Sequence, residues 1–194
     1  MTQKLSQAEL KERREGVVTA AVAVFLRYGY ARTTMADLAT AAGLSRPTLY
    51  LLFPDKDEIF TAVIRRLNRQ MLDRFRSALP KLQTTDKRVQ YCCEEWGAHG
   101  VEIMEKHADA KDLFDLAFPV VREMNELFVD FLAELLPEPA ARSALNVTPR
   151  EIARNLVYSF RGLKEGAKDS AHLRRTIRLQ VALVLSALEH SAAE

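Results

Sequence analysis

Two cysteines are all that the 194 residues contain, and they are adjacent, Cys92-Cys93. A disulfide framework is thereby excluded and a reducing compartment expected. Neighbours on a helix point about 100° apart, so bridging the two would strain the backbone, and a pair of buried or half-buried thiols is expected instead. No uninterrupted apolar run is long enough to span a bilayer, so no membrane partner is expected. The opening stretch MTQKLSQAELKERREG is charged and lacks a hydrophobic signal core, which argues against export and for a cytoplasmic protein. There is no Gly-rich phosphate loop, no nucleophile elbow and no pair of carboxylates in a catalytic setting, so neither an enzyme nor a cofactor is expected. No Cys/His spacing marks a metal site. Glu95, His99 and Glu102 share a helix face, but charged helices produce that pattern by chance.

The net charge is only +2, yet it is unevenly spread. Residues 1–56 hold eight Lys/Arg against five acids, and the remainder holds 20 against 21. A mildly basic N-terminal unit therefore precedes a near-neutral one, which permits nucleic-acid binding without announcing it.

What the chain has is helix punctuation. No strand alternation competes with it. Ser6 and Glu9 have capping-box spacing, and a first helix is expected to run to about Tyr28, with Val17, Ala20, Ala21, Val24, Phe25 and Tyr28 as its apolar stripe. Gly29 is its natural stop. Thr34 and Asp37 form a second box opening a helix that buries Leu38 and Ala41. Gly43 ends that helix and Leu44 plugs the turn. Ser45 caps a short third helix, with Pro47 confined to the first turn where its missing N–H is harmless. Asp55 to Glu58 opens a fourth. Its stripe Phe60, Val63, Ile64, Leu67, Met71, Phe75 and Leu79 runs to Pro80, roughly 35 Å at the standard rise.

Three short helices and a basic, hydroxyl-rich third one make a helix-turn-helix, which sets one helix end into the DNA major groove. Arg46, Pro47 and Thr48 stand at the N-terminal end of the third helix. An arginine there can pair with guanine O6 and N7, and the Pro47 ring suits a thymine methyl. Thr34, Thr48 and Tyr50 offer hydroxyls to phosphate, and Lys56 offers charge at a helix start. Other roles stay open. Thr34 and Ser45 are caps with or without DNA, Tyr50 has a packed position between helices as its rival reading, and Arg46 has a phosphate contact. Leu38, Leu49 and Phe53 are core residues.

The segment AAVAVFLRYGYARTTMADLATAAGLSRPTLYLLFPDKDEIF resembles the DNA-binding domain of the tetracycline-repressor (TetR/AcrR-like) regulators. The resemblance rests on Phe25, Gly29-Tyr30, Thr33-Thr34, Leu38-Ala39, Ala42-Gly43-Leu44-Ser45, Thr48-Leu49-Tyr50, Phe53 and Lys56, and covers roughly residues 10–65. It implies an all-α protein with a three-helix helix-turn-helix domain at 1–58 and a larger helical ligand-binding and dimerisation domain at 59–194. It implies DNA contacts at Thr34, Arg46, Thr48, Tyr50 and Lys56, and Thr33 and Pro47 join them as candidate contacts. Leu51 and Leu52 depart from the pattern, standing where relatives often carry an aromatic and then His or Tyr. One backbone contact is therefore expected to be absent or replaced.

Beyond the fourth helix the periodicity predicts helices at about 85–107, 109–118, 120–136, 149–165 and 171–190. Thr148-Pro149-Arg150-Glu151 is a sharp start. The middle helices are rich in large apolar groups, and Gly97 and Gly100 leave volume vacant beside Trp96. By resemblance this region encloses a small apolar effector that releases DNA, with Trp96, His99, Gly100, Ile103, Phe118, Arg122, Phe128 and Phe160 as its lining; an ordinary packed core is the rival reading. The last two helices are expected to dimerise through Leu156, Phe160, Leu163, Ile177, Val181, Val184 and Leu188, as a four-helix interface. A homodimer is expected on independent grounds, because one short recognition helix reads too few base pairs to be selective. The resulting expectation is a repressor bound to a palindromic double-stranded operator. Two alternatives stand beside it: a regulator whose C-terminal half serves protein interaction without a ligand, and a small-molecule-binding helical protein without DNA regulation.

Overall fold

The computed structural model describes residues 6–136 and 147–193. Eight α-helices follow one another among them: α1 Gln7–Arg32, α2 Met35–Ala41, α3 Arg46–Leu52, α4 Lys56–Ala78, α5 Thr85–Lys106, α6 Pro119–Ala133, α7 Pro149–Gly166 and α8 Ser170–Ala193. No strand occurs among the described residues, and none of these helices is long and apolar enough to cross a membrane. The protein is all-α.

The caps lie where the side-chain chemistry puts them. Ser6 with Glu9, Thr34 with Asp37 and Thr148 with Glu151 each form both halves of a capping box. Ser45 accepts from the Thr48 amide, and Asp55 from the Glu58 amide at 2.8 Å. Each such bond satisfies one of the amides a helix start leaves without a partner. Gly43, at φ 66°, closes α2: its amide reaches the Thr40 carbonyl and the Leu44 amide the Ala39 carbonyl at 2.9 Å.

Expectations about the first helices fail at Gly29, Tyr28 and Ala41. Gly29 does not stop α1 but kinks it, at φ 70° and ψ 173°, a conformation glycine alone adopts at little cost, and the helix resumes to Arg32. Beyond the kink it is Tyr30 that packs on Phe60. Tyr28 is turned out to solvent under the Arg27 guanidinium. In α2, Ala39 and not Ala41 joins Leu38 in the core, since Ala41 lies round the helix from that face.

The chain folds into two compact units. The first comprises residues 1–68 together with 106–121. It is therefore larger than a helix-turn-helix at 1–58: α4 contributes Ile59, Phe60 and Val63 to the same core as Phe25, Leu49 and Phe53. The segment 109–118, expected as an α-helix, is a run of 3-10 turns over Ala108–Phe114, docked on the end of α1. Side chains fasten it. The Ala31 amide donates to Asp112 at 3.2 Å, Arg32 pairs with Asp109, and the Phe118 ring lies 4.8 Å from those of both Tyr30 and Phe60. A side chain at Gly29 would collide with the Asp109 carbonyl oxygen.

The second unit, 69–105 and 122–194, is built round Phe75, Val89, Cys92, Cys93, Phe128, Leu132, Leu156 and Ile177. Trp96 stacks on Phe128 at 4.2 Å, and Phe128 continues to Phe131 and Phe75. The volume beside Trp96 is not vacant at Gly97. A Cβ there would meet Phe160 at 3.2 Å and collide with Ile177, so the glycine lets α7 and α8 close on α5. Ion pairs cover the outside. Arg174 is held by Glu95 and Glu102, each at 2.6 Å, which accounts for the acidic face shared with His99, and Arg178 is held doubly by Glu94. Burial pushes the Cys92 thiol up to about 12 and Cys93 well above the usual range, as suits unreactive core thiols.

Candidate nucleic-acid interface

The third helix is seven residues long and divides cleanly. Leu49 and Leu52 point into the core, while Arg46, Pro47, Tyr50 and Leu51 face out. On a 3.6-residue turn these four fall on one side, so α3 presents a single outward face. Its N-terminal end is set by Ser45, whose hydroxyl lies 2.7 Å from that of Thr48. The other end is set from behind. Arg14 donates to the Leu52 carbonyl, lays its guanidinium 3.9 Å over the Phe53 ring and approaches Glu58 at 3.8 Å. A cation there satisfies a carbonyl that the helix end leaves open and complements the helix dipole. Arg14 was not singled out from sequence. The available signal is its place three and four residues before Val17 and Val18, on the extension of the buried stripe.

Each residue expected to touch DNA has a distinct setting. Tyr50 is half-exposed and not a packed aromatic, which removes the rival reading of it. Arg46 and Pro47 are exposed and Thr48 half-buried. Thr34 is exposed and engaged with Asp37, whose carboxyl is held below its ordinary range, first by the Thr34 hydroxyl and then by the Thr34 amide. Thr33 is buried at 2% exposure, and its hydroxyl donates to the Gly29 carbonyl at 2.6 Å, so its side chain is spent inside the fold. Lys56 donates to the carbonyls of Tyr30 at 2.8 Å and Thr33 at 2.9 Å, with its ammonium 4.1 Å from the Tyr30 ring centre. It fastens the end of α1 to the start of α4 and has one N–H left. The Tyr30 hydroxyl, raised to about 12 by burial and by donating to Asp57, completes the joint.

The residues expected to line an effector site do not all come together. Trp96, His99, Gly100 and Ile103 follow one face of α5, and Phe128 stacks on Trp96. Burial and the nearby Arg74 lower the His99 pKa. Phe160 lies against Gly97, and Arg122 is exposed near the start of α6. Phe118 belongs elsewhere, in the aromatic cluster of the first unit with Tyr30 and Phe60.

The residues expected to dimerise are displaced as well. Leu156, Phe160, Ile177, Val181 and Leu188 are buried in the chain's own core, with Leu163 and Val184 packed against it. The face that α8 leaves open carries Leu179 and Leu183 instead, 61% and 63% exposed and one turn apart.

A capped three-helix unit with its third helix turned outward, followed by a larger helical unit, defines an all-α helix-turn-helix protein. Comparison with known proteins narrows the class. Residues 17–63 match the profile described as "Bacterial regulatory proteins, tetR family", so over that segment the chain is similar to that family. It is 39% identical over 61 residues to the HTH-type transcriptional repressor BepR of Brucella suis, a match covering 31% of this chain and 29% of that protein. It is also 39% identical over 77 residues to the HTH-type transcriptional activator FasR of Mycolicibacterium smegmatis, covering 40% and 34%. The matches thus span about a third of these relatives' length. Among solved structures, a TetR-family transcriptional regulator from Pectobacterium atrosepticum shares the fold over 95% of this chain and 97% of its own, with a TM-score of 0.74 at 20% identity. These relatives are regulators, not enzymes.

Proposed function

We propose that the protein is a DNA-binding transcriptional regulator, acting in the cytoplasm as a homodimeric repressor on a palindromic operator. The observation that carries the reading is the outward face of α3, held at one end by Ser45 and at the other by Arg14. Arg46, Pro47 and Thr48 form its reading edge, with Thr34 and Tyr50 on phosphate. Lys56 acts mainly by fixing the joint behind that edge, and Thr33 does the same from inside.

Dimerisation through α7 and α8 is supported by the open Leu179 and Leu183 face, and by Gly162 and Gly166, which have open space where a side chain would stand. Two copies would set their recognition helices about one DNA turn apart, 34–36 Å. The effector reading rests on the half-buried face of α5 at Trp96, His99 and Ile103, which suits a small molecule with an apolar body. Such a ligand acts by favouring the conformation whose recognition helices do not fit the operator.

A gel-shift titration of the full chain on its own upstream DNA tests the reading. Salt-sensitive binding to an inverted repeat is expected, and its absence overturns the proposal. Arg46→Ala should relax preference at one base position by about 1–3 kcal/mol; a uniform loss across sequences reassigns Arg46 to phosphate. Leu183→Glu should yield monomers in sedimentation and abolish binding to the repeat.

A further inference from the structure

The outward face of α3 is less polar than a surface that only follows phosphates. Arg46 is its one charge, while Pro47 and Leu51 stand four residues apart on the same side. Leu51 is 84% exposed, so it adds almost nothing to the core. It is nonetheless firmly carried. Its neighbour Leu52 is buried, and the Leu52 carbonyl is gripped by Arg14.

A leucine side chain has neither donor nor acceptor. Pressed on a phosphate or on a polar base edge it would strip water from that group and return nothing. The apolar group that the major groove displays is the thymine C5-methyl. Four helical residues rise about 6 Å, which is close to two base-pair steps of roughly 3.4 Å.

We infer that Leu51 is a specificity-determining residue that packs on a thymine methyl in each half-site, about two steps from the position met by Pro47. The inference rests on the DNA-binding reading above. Leu51 takes the place of a backbone contact with a base preference: thymine is favoured over cytosine, whose edge there offers an amino donor and no methyl, and over purines, which present polar edges.

The test uses the full chain to select duplexes from a random-sequence pool. Each thymine of a selected duplex is then replaced in turn by deoxyuridine, which removes the methyl and nothing else. One replacement per half-site should weaken the protein roughly three- to tenfold, the scale of one buried methyl on each half. Leu51→Ala should weaken the parent duplex by a similar factor, and the two changes together should cost no more than either alone. Its melting temperature should stay that of the unaltered protein. The inference is overturned if every deoxyuridine duplex affects both proteins equally. It is also overturned if Leu51→Ala weakens unselected DNA as much as the selected duplex, which is the mark of a sugar-phosphate contact. A pool from which nothing is enriched instead removes the DNA-binding reading, and this inference with it.

Discussion

The two units bury apolar faces alike but fix their remaining surfaces by different means. In the first, main-chain groups are the partners at the joints around α3, alongside side-chain pairs such as Arg66 with Glu15 and Arg32 with Asp109. Caps accept amides, Lys56 and Arg14 donate to carbonyls, and Gly29 lets the 106–121 segment lie against the backbone of α1. In the second, side chains meet side chains, as with Arg174 between Glu95 and Glu102, Arg178 on Glu94, and Arg150 on Asp130 and Glu126. Main-chain partners hold a reading edge to a fixed position. The exposed pairs among these, such as Arg150 with Asp130, contribute little to stability. The contrast suits a first unit that must present one geometry and a second that is proposed to answer a ligand.

The contrast can be broken at two glycines. Gly29→Ala meets both a positive φ and a backbone oxygen, and neither can move cheaply. It should lose about 3 kcal/mol or more, seen as a fall in melting temperature. Gly97→Ala meets only side-chain atoms of Ile177 and Phe160 and gains helix propensity, so its net loss should be smaller, about 1–2 kcal/mol by denaturant titration. Equal losses would erase the distinction between the units.

Lys56→Met keeps much of the stem and removes two bonds to carbonyls. A loss of about 1–3 kcal/mol is expected in the same titration, and the salt dependence of DNA binding should stay almost unchanged. A fall of one in the salt slope would restore Lys56 to direct phosphate contact.

Thr34→Ala and Thr148→Ala remove the same cap in different units and should each cost about 1 kcal/mol. Their partners add a pH dependence. The carboxyls of Asp37 and Glu151 are both held below their ordinary values by bonds from the threonines. That contribution is complete above the unfolded values of 3.8 and 4.5 and is lost as pH falls through the lower folded ones. Acid titration of melting temperature should therefore be shallower in both variants than in the parent.

The smallest effect expected is none. Cys92 and Cys93 are buried with raised thiol pKa values, so a thiol reagent at pH 8 should leave both unmodified until the chain unfolds.

What could be read in the sequence follows the same division. Ser6, Thr34, Ser45 and Thr148 mark helix starts because capping is chemistry between residues three apart. The short helix that faces outward was legible for that reason, as was the core role of Leu38, Leu49 and Phe53. Tyr30 was missed because a stripe assumes an unbroken helix, and Gly29 breaks it before Tyr30. The α7 and α8 stripe was assigned to a partner copy because periodicity shows that a face is buried without showing what buries it. Leu156 and Ile177 are covered by their own chain, and the exposed Leu179 and Leu183 lie off the main stripe. Gly97 suggested a vacancy and is filled, since sequence does not say which side chain arrives from 80 residues away. Phe118 was grouped with Trp96 by composition, while its turn carries it to Tyr30.

The docking of 106–121 on α1 has a consequence for how the protein is made and cut. The unit bearing the recognition helix is not finished when its three helices have left the ribosome; Tyr30, Phe60 and the hollow at Gly29 wait for about fifty more residues before Asp109, Asp112 and Phe118 arrive. A fragment ending at 58 or 68 lacks those partners. A hybrid regulator that borrows this DNA-reading head would have to bring the second piece of chain along with the first.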